Sequence, residues 1–494
     1  MYGERQSCQK AGFSLGYQGP CFFLRQRKNE VNALDKDSRN RRLFTLFAAC
    51  VITLSEMFVM WIVWKEYYHP KIRIQFVTKG HWFILAIYIV VLFFFMRMYG
   101  AFKIDAHRRI ELLFSAGIAT VCTNVIFYVE ICLLAYYFPN PFPAIQGMFL
   151  QGILICIWIL GSTALFRMLF PPLKVLLIYE GGGAQDFRQK VETRRHQFQI
   201  VDSIPASERI EKIFSSIDKY QAVMMWDIPT PVRNKIFKYC YDKSVTTYVM
   251  PKISDIILNG SEAIHVFDTP LLLTKSSPLE FEQEISKRGI DIILSFLLII
   301  LTSPMMALTA LSIKLYDGGA ILYKQTRCTL EGKKFQIYKF RSMIANAEED
   351  GIARLAAKGD SRITPIGKII RKVRIDELPQ LFNIIKGEMS FVGPRPERPE
   401  IIEKYTEEMP EFSYRVKVKA GLTGYAQIFG KYNTKPYDKL KLDLYYIEHY
   451  SVWLDLKLII LTLKILLTLE STEGVAQGLI TPTQKENRDE KSKS

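Results

Sequence analysis

The chain has 494 residues, which is too many for one ordinary domain, so about three domains are expected. Hydrophobic residues make up 49% of the chain, yet lysine and arginine exceed aspartate and glutamate by 16. This combination argues against an ordinary soluble protein and favours apolar spans beside a basic portion that suits anionic lipids or phosphorylated molecules. Nucleic acid is a competing polyanion, but no nucleic-acid-binding signature accompanies the charge, so no nucleic-acid partner is expected.

Four apolar runs follow one another, each about long enough to cross a bilayer core of roughly 30 Å. Buried helices of a soluble protein are the alternative, but tryptophan, tyrosine and arginine at the rims of the runs favour a membrane. We therefore predict a transmembrane region at 43–170, preceded by a cytoplasmic segment at 1–42. The four runs lie near 43–64, 82–98, 112–138 and 147–170.

The charges around these runs favour an orientation with both chain ends in the cytoplasm. The segment before the first run is basic, whereas the connection at 137–146 has no charge. A strict positive-inside count is contradicted by the first loop, which carries Lys65, Lys71, Arg73 and Lys79. Because four spans return the chain to its starting side, we predict that the long basic C-terminal half is cytoplasmic.

Residues 171–278 change to alternating strands and helices, which predicts a small Rossmann-like α/β module. Apolar strand-like runs occur at 174–179, 222–226 and 246–250. Three glycines at 181–183 follow the first run, but their spacing is not Gly-x-Gly-x-x-Gly. A bound dinucleotide stays open, and a scaffolding or regulatory role is the favoured interpretation.

A fifth apolar run, at 290–315, is interrupted near its middle by Ser303-Pro304. A proline removes a backbone donor and clashes with the preceding turn. The run therefore predicts either a kinked transmembrane helix or a re-entrant helix that enters and leaves the membrane on one face. Periodicity alone does not separate the two.

Two adjacent carboxylates, Asp376 and Glu377, follow an amphipathic segment at 364–375. Arginine can hold a phosphate through paired hydrogen bonds, and a carboxylate near a divalent cation can attack phosphorus. From the residues alone, the pair is either a phosphoryl-transfer site or a surface salt-bridge cluster. The segment's apolar face holds Ile366, Ile369, Ile370 and Val373, and its basic face holds Lys368, Arg371 and Arg374.

Four motifs occur in order in the C-terminal half: KFRSM at 339–343, DELPQL at 376–381, GEMSFVGPRP at 387–396 and GLTGYAQ at 421–427. Together they resemble the bacterial sugar transferase family, the monotopic phosphoglycosyl transferases that use polyprenyl phosphates, over residues 281–469. The whole layout resembles the long members of that family. The expected fold is a membrane protein with α and α/β parts: four transmembrane helices, a Rossmann-like module, and a mostly helical catalytic domain at 279–475, followed by a flexible tail at 476–494.

The resemblance implies a two-step transfer of a hexose-1-phosphate. Asp376 would attack the β-phosphate of a UDP-sugar, release UMP and hold the sugar phosphate as a covalent intermediate. Undecaprenyl phosphate would then accept the sugar phosphate. The family also implies Mg²⁺, held by Asp376 and Glu377, with Glu377 as a metal partner or a base.

Other residues match the family by position. Arg371 matches a phosphate-binding arginine, and the Ser303-Pro304 break matches a re-entrant helix, here near 288–315, which places the active site on the cytoplasmic face. The remaining candidates are Lys339, Arg341 and Lys431 for substrate phosphate, Pro394, Arg395 and Pro396 for the nucleotide, and Ser303 and Pro304 for the membrane break.

Three positions depart from the family pattern. Arg374 stands where a small residue is usual, and Ala420 replaces a common proline. Lys431 stands where many members have arginine, so a phosphate contact there would lose its planar two-point geometry. These changes leave the reaction class intact but blur the identity of the sugar.

The resemblance implies a multi-pass protein of the bacterial inner membrane that catalyses the first membrane step of exopolysaccharide, capsule or O-antigen synthesis. The alternative is a non-catalytic membrane regulator or scaffold that binds nucleotide sugar. Glucose, galactose and N-acetylated amino sugars all stay open as the sugar. Whether the chain forms a homodimer stays open too.

Overall fold

The computed structural model describes residues 20–72, 78–181, 183–274, 279–344, 362–430 and 434–467. The chain forms two compact units, Met1–Met250 and Pro251–Ser494. Most of the described residues are helical, and the first unit contains a parallel sheet, as the sequence predicted. Within the described part of the chain, five helices are long and apolar enough to cross a membrane by length and composition.

The first unit begins with four long helices that cover the four predicted apolar runs. Helix α1 packs against α2 and α4, and α3 packs against the same two helices. The helices are α1 (Pro20–Val63), α2 (Thr78–Tyr99), α3 (Arg109–Ala135) and α4 (Phe142–Leu169).

A buried polar network links the four helices. Thr120 Oγ1 of α3 donates to Glu56 Oε2 of α1 at 2.7 Å. Gln151 Nε2 of α4 donates to Tyr88 Oη of α2 at 2.8 Å, and Asn124 Nδ2 of α3 donates to Gln151 Oε1 at 2.7 Å. Hydrogen bonds of this kind between apolar helices fix which faces meet.

An α/β module completes the first unit. Its four strands are all parallel, in the order β2-β1-β3-β4, and the predicted strands correspond to β1, β3 and β4. The sequence analysis missed β2, because this edge strand mixes polar with half-buried residues and lacks a continuous apolar run. The elements are β1 (Leu173–Tyr179), α5 (Ala184–Glu192), β2 (Phe198–Pro205), α6 (Ile210–Ile217), β3 (Ala222–Trp226), α7 (Thr230–Asp242) and β4 (Thr246–Val249).

The second unit begins with a short helix, an exposed hairpin and a long helix. The short helix lies within the range 171–278 predicted for the α/β module, and its Ile253 and Ile256 pack in the same core as Leu444 and Ile447 of the second unit. These elements are α8 (Ile253–Asn259), β5 (Glu262–Val266), β6 (Thr269–Leu273) and α9 (Phe281–Asp317).

Helix α9 contains Ser303 and Pro304, where the sequence predicted a break, but its backbone stays helical through them. Pro304 has no N–H to donate to the carbonyl of Ile300, and Ser303 Oγ donates to that carbonyl instead at 2.8 Å. The helix continues through the proline because this side chain satisfies the freed oxygen. The described residues thus contain a single helix from Phe281 to Asp317.

Both halves of α9 pack against the same unit. Leu294 and Leu298 of the first half contact its main core, and Ile313 of the second half is buried against Phe340 and Ile370. Most of the outward residues between these contacts are apolar, and Ser303 and Ser312 are the exposed polar ones. The most exposed of them include Leu301 at 76% and Leu308 at 65%.

The rest of the second unit is an assembly of short helices and strands around that core. Strands β7 and β8 form an antiparallel hairpin, and β9 and β10 form a short parallel pair. The elements are β7 (Leu322–Cys328), β8 (Lys334–Phe340), α10 (Pro365–Lys372), α11 (Gln380–Lys386), β9 (Ser390–Val392), α12 (Pro399–Glu408), β10 (Gly421–Thr423), α13 (Tyr425–Phe429), α14 (Pro436–Glu448) and α15 (Val452–Leu467).

Candidate active site

Helix α10 and the turn after it position the two adjacent carboxylates. Thr364 caps the helix, because its Oγ1 accepts a hydrogen bond from the Gly367 backbone N–H at 2.9 Å. The helix ends at Lys372, and Arg374 then adopts a left-handed conformation with φ 56°. This conformation costs a non-glycine residue about 1 kcal/mol or more. It starts the single 3-10 turn, Ile375–Glu377, that carries the pair.

The apolar face of α10 is only partly buried. Ile370 packs against Phe340 and Ile313, whereas Ile369 and Val373 are 66% and 57% exposed. An apolar surface therefore lies within one to two turns of the carboxylates in sequence, on the helix that leads into them.

Glu377 is surrounded by three cations. Lys339 Nζ of β8 donates to its Oε1 at 3.3 Å, Arg374 Nη1 lies 3.6 Å from its Oε2, and Arg395 Nη2 lies 3.8 Å from its Oε1. Only 16% of the Glu377 side chain is exposed. Burial opposes ionisation, but the three cations outweigh it and lower the pKa of Glu377 to about 2.

Asp376 has a different environment. Its burial, followed by the negative charge of Glu377, raises its pKa, against the opposing charges of Lys339, Arg371 and Arg374. Among the described residues, its carboxylate has no hydrogen-bond partner. The two neighbours therefore differ in chemistry: Glu377 is a fixed anion, and Asp376 is a carboxylate without a partner.

The four predicted phosphate-binding residues do not all lie together. Lys339 contacts Glu377 directly, and both Lys339 and Arg371, on α10, act on Asp376 through their charges. Arg341 instead pairs with Asp317 at the end of α9. Lys431 lies outside the described residues.

The predicted nucleotide segment lies beside the pair. The Pro394 carbonyl accepts a hydrogen bond from the Gly421 N–H at 2.9 Å, and the Pro396 carbonyl accepts one from Arg327 Nη1 at 3.3 Å. The segment is thereby held at both prolines, and the Arg395 side chain between them reaches Glu377. A small pocket next to it is lined by Arg395, Glu397, Phe412 and Arg415, among other residues.

Glycine is required where the two short strands β9 and β10 meet. A Cβ on Gly421 would overlap the backbone nitrogen of Gly393, and a Cβ on Gly393 would overlap the carbonyl of Lys419. The GLTG and VGPRP motifs therefore interlock through their backbones, which fixes the position of Arg395.

A buried charge network, missed by the sequence analysis, supports this segment. Glu397 pairs with Lys439 Nζ at 2.5 Å and lies 3.8 Å from Arg415 Nη1, while Arg415 Nε donates to Asp443 Oδ2 at 2.7 Å. Burial opposes ionisation of Glu397, but Lys439 and Arg415 lower its pKa to about 2. No spacing pattern in the sequence marks these residues, because they come from separate helices and loops.

A second buried network, also missed, ties α9 to the rest of the unit. Lys287 Nζ donates to Asp455 Oδ2 at 2.7 Å, to Tyr446 Oη at 2.9 Å and to the Val392 carbonyl at 2.9 Å. The Phe391 N–H donates to Asp291 Oδ1 at 2.8 Å. Its charged members come from α9 and α15, which lie far apart in the sequence, and no sequence motif marks them.

Asp376 and Glu377 are the candidate ligands for Mg²⁺. Among the described residues, no three His, Cys, Asp or Glu side chains converge to form a closed metal site. Mg²⁺ is usually bound through one or two carboxylates, together with waters and substrate phosphates. Two oxygen-bearing groups, one of them an unpartnered carboxylate, fit that requirement.

The C-terminal half of the chain matches a known protein family. Residues 282–469 match the family described as bacterial sugar transferase. The chain is 38% identical over 232 residues to a UDP-N-acetylgalactosamine-undecaprenyl-phosphate N-acetylgalactosaminephosphotransferase of Aeromonas hydrophila, covering 46% of this chain and 54% of that protein.

The names of two other relatives specify glucose as the sugar that those proteins transfer. A UDP-glucose:undecaprenyl-phosphate glucose-1-phosphate transferase of Klebsiella pneumoniae is 34% identical over 51% of this chain and 54% of its own length. The protein of the same name from Caulobacter vibrioides is 39% identical over 38% of this chain and 72% of its own length. The chain thus spans about half the length of the Aeromonas and Klebsiella proteins and most of the Caulobacter one. With the ordered motifs meeting at one site, the chain belongs to the bacterial sugar transferase family.

Proposed function

We propose that this protein transfers a hexose-1-phosphate from a UDP-sugar to undecaprenyl phosphate. The observation that carries the proposal is the unpartnered Asp376 carboxylate beside the cation-bound Glu377, next to exposed apolar residues of α10. Cations suit a diphosphate, and an apolar surface suits a polyprenyl chain. Relatives whose names state this reaction support the proposal.

In the first step, an Asp376 oxygen attacks the β-phosphorus of the UDP-sugar. A phosphorus–oxygen bond to Asp376 forms, the bond to the bridging oxygen breaks, and UMP leaves with that oxygen. Lys339, Arg371 and Arg395 lie where they offset the charge of the diphosphate. The result is a sugar phosphate linked to the aspartate, which divides one difficult transfer into two easier ones.

In the second step, an oxygen of undecaprenyl phosphate attacks the same phosphorus. The bond to Asp376 breaks, its carboxylate is restored, and undecaprenyl-diphospho-sugar leaves. Glu377 keeps its charge throughout, because its cations hold its pKa near 2. Its role is to anchor Lys339, Arg374 and Arg395 around the reacting phosphate.

Asp376 and Glu377 are the residues that would hold Mg²⁺. The ion would supply charge neutralisation for the diphosphate during transfer. The protein's own contribution is the placement of Asp376 and the surrounding cations.

We propose that α9 is the re-entrant helix and that α1–α4 span the bacterial inner membrane, with the catalytic unit on its cytoplasmic face. The contacts of both halves of α9 with one unit support entry and exit on the same face of the bilayer. Ser303 satisfies the carbonyl that Pro304 frees, which lets the break lie in an apolar environment. The product suits the first membrane step of exopolysaccharide, capsule or O-antigen synthesis.

The test is a panel of UDP-sugars incubated with membranes containing the protein and with undecaprenyl phosphate. One sugar should give a lipid-linked product, with one UMP released for each lipid product formed. UDP as the sole nucleotide product would show a conventional glycosyltransferase. No lipid product with any sugar of the panel, from folded protein, would favour the regulator or scaffold alternative.

A further inference from the structure

A cluster of cations lies at one end of the four-helix bundle, where it meets the α/β module of the same unit. Arg108 and Arg109 begin α3, Arg167 lies in the last turn of α4, and Arg194 lies in the turn between α5 and β2. All four side chains belong to exposed residues. None of them takes part in the proposed catalytic chemistry.

Contacts of the first two arginines hold this junction together. Arg108 Nη2 donates to the Thr193 carbonyl at 3.2 Å, and Arg109 Nε donates to Thr163 Oγ1 at 2.9 Å. Arg167 and Arg194 have no side-chain hydrogen bond or ion pair to any residue that the structure describes. Two of the four charges are therefore uncompensated by direct partners there.

The charges of the cluster act on the side chain of His196. Burial of this imidazole, followed by the charges of Arg167, Arg194 and Arg108, lowers its pKa, against the opposing charge of Glu111. Its Nε2 is buried and has no hydrogen-bond partner among the described residues. Glu111, which pairs with His107 at 2.9 Å, also interacts with the charge of Arg194 and offsets the positive charge of the cluster in part.

Exposed apolar residues adjoin the same arginines. Ile110, next to Arg109, is 61% exposed, and Met168, next to Arg167, is 82% exposed. Apolar side chains offer no favourable contact to a free inorganic anion. A lipid, in contrast, presents an anionic headgroup to the arginines and acyl chains to the apolar side chains. Basic pockets between membrane helices bind anionic lipid headgroups.

We propose that Arg108, Arg167, Arg194 and His196 form a binding site for the phosphodiester headgroup of an anionic phospholipid. The acyl chains lie against the outward apolar residues of α3 and α4. The bound lipid links the bundle to the α/β module, because its headgroup is shared by residues from both. The site is independent of the Asp376–Glu377 pair and needs only that the bundle lies in a membrane.

The test uses the full-length protein in neutral-detergent micelles, titrated with fluorescent phosphatidylglycerol or phosphatidylcholine. Wild type should bind phosphatidylglycerol more tightly than phosphatidylcholine. Replacing Arg108, Arg167 and Arg194 with glutamine should weaken phosphatidylglycerol binding by about fivefold for each arginine, or roughly a hundredfold together. Equal affinity for the two lipids, or no weakening in the triple variant, would overturn the proposal.

The matched control is the double variant Lys65→Gln/Lys71→Gln at the other end of the bundle, which should bind as wild type does. A triple lysine variant at 108, 167 and 194 should retain binding, which separates charge from misfolding. Equal weakening by the Lys65/Lys71 control would overturn the proposal. Displacement of phosphatidylglycerol by equimolar inorganic phosphate would also overturn the proposal. So would a protein that binds undecaprenyl phosphate but not phosphatidylglycerol.

Discussion

The charge of Lys339 should set the pH at which the enzyme becomes active. Its Nζ lies 3.3 Å from Glu377 Oε1, and it lowers the pKa of both Glu377 and Asp376. Two unit charges at 3.3 Å attract by about 1 kcal/mol in water and by about 5 kcal/mol at an effective dielectric constant of 20. A cation within such a distance typically lowers a carboxyl pKa by about 1 to 3 units.

Substituting Lys339→Met removes that charge. The attacking Asp376 must be ionised, so activity falls on the acid side of its pKa. Without Lys339 this pKa rises, and the acid limb of kcat/KM, measured by UMP release, should move to higher pH. The control is Lys334→Met, the same change at an exposed position of the same strand, which should leave the limb in place.

One result would refute this reasoning. If Lys339→Met lowers activity at every pH but leaves the acid limb where it is, then Lys339 binds substrate without tuning Asp376. A limb that moves to lower pH would contradict the sign of the interaction itself.

Two further predictions concern stability. Lys287→Met should destabilise the second unit by about 3–5 kcal/mol, because the buried Asp455 loses its cation and keeps only the hydrogen bond from the Tyr446 hydroxyl among these contacts. Adding Asp455→Leu should restore part of that loss. A denaturant titration in which the double variant is no more stable than the single one would contradict this prediction. The pKa of Glu397 is about 2 in the folded protein, against an ordinary value of 4.5. Its ionised form therefore stabilises the fold by on the order of 3 kcal/mol above pH 4.5, and this stabilisation is lost as the pH falls towards 2. Glu397→Gln should therefore lower stability at neutral pH and flatten its dependence between pH 4.5 and 2, and an unchanged slope in acid titrations followed by circular dichroism would count against the network.

Much of the fold could be predicted from residue patterns. The four apolar runs correspond to α1–α4. Three of the four strands of the parallel sheet were predicted, because each is a short run rich in apolar, aromatic or β-branched residues. The edge strand β2 was missed, since one exposed face dilutes its apolar signal. The position of α8 in the second unit depends on long-range packing against Leu444, which no local pattern encodes.

Part of the candidate site could likewise be predicted from the sequence, and part of it could not. Asp376, Glu377, Lys339 and Arg395 were chosen from motifs, and the structure brings them together. Arg341 lies in the same motif as Lys339 but pairs with Asp317. It follows the end of β8 at Phe340, so the alternation of the strand no longer sets the direction of its side chain. Motif membership identified the segment without saying which side chains turn inward.

Arg374 shows how an unusual residue acquires a physical meaning. The sequence marked it as a departure from a small residue, and the structure gives it a left-handed backbone and a contact with Glu377. Glycine would meet the backbone requirement more easily. The arginine adds a cation to the carboxylate pair, at the cost of about 1 kcal/mol of backbone strain.

The central claim is that Asp376 is the nucleophile, and intact-protein mass spectrometry tests it most directly. Purified protein is incubated with the accepted UDP-sugar in the absence of undecaprenyl phosphate, then digested for peptide mapping. We predict a hexose-phosphate adduct on Asp376, formed together with one equivalent of UMP, absent from a folded Asp376→Asn variant and discharged when undecaprenyl phosphate is added. Full turnover by Asp376→Asn, or an adduct on another residue, would contradict the account.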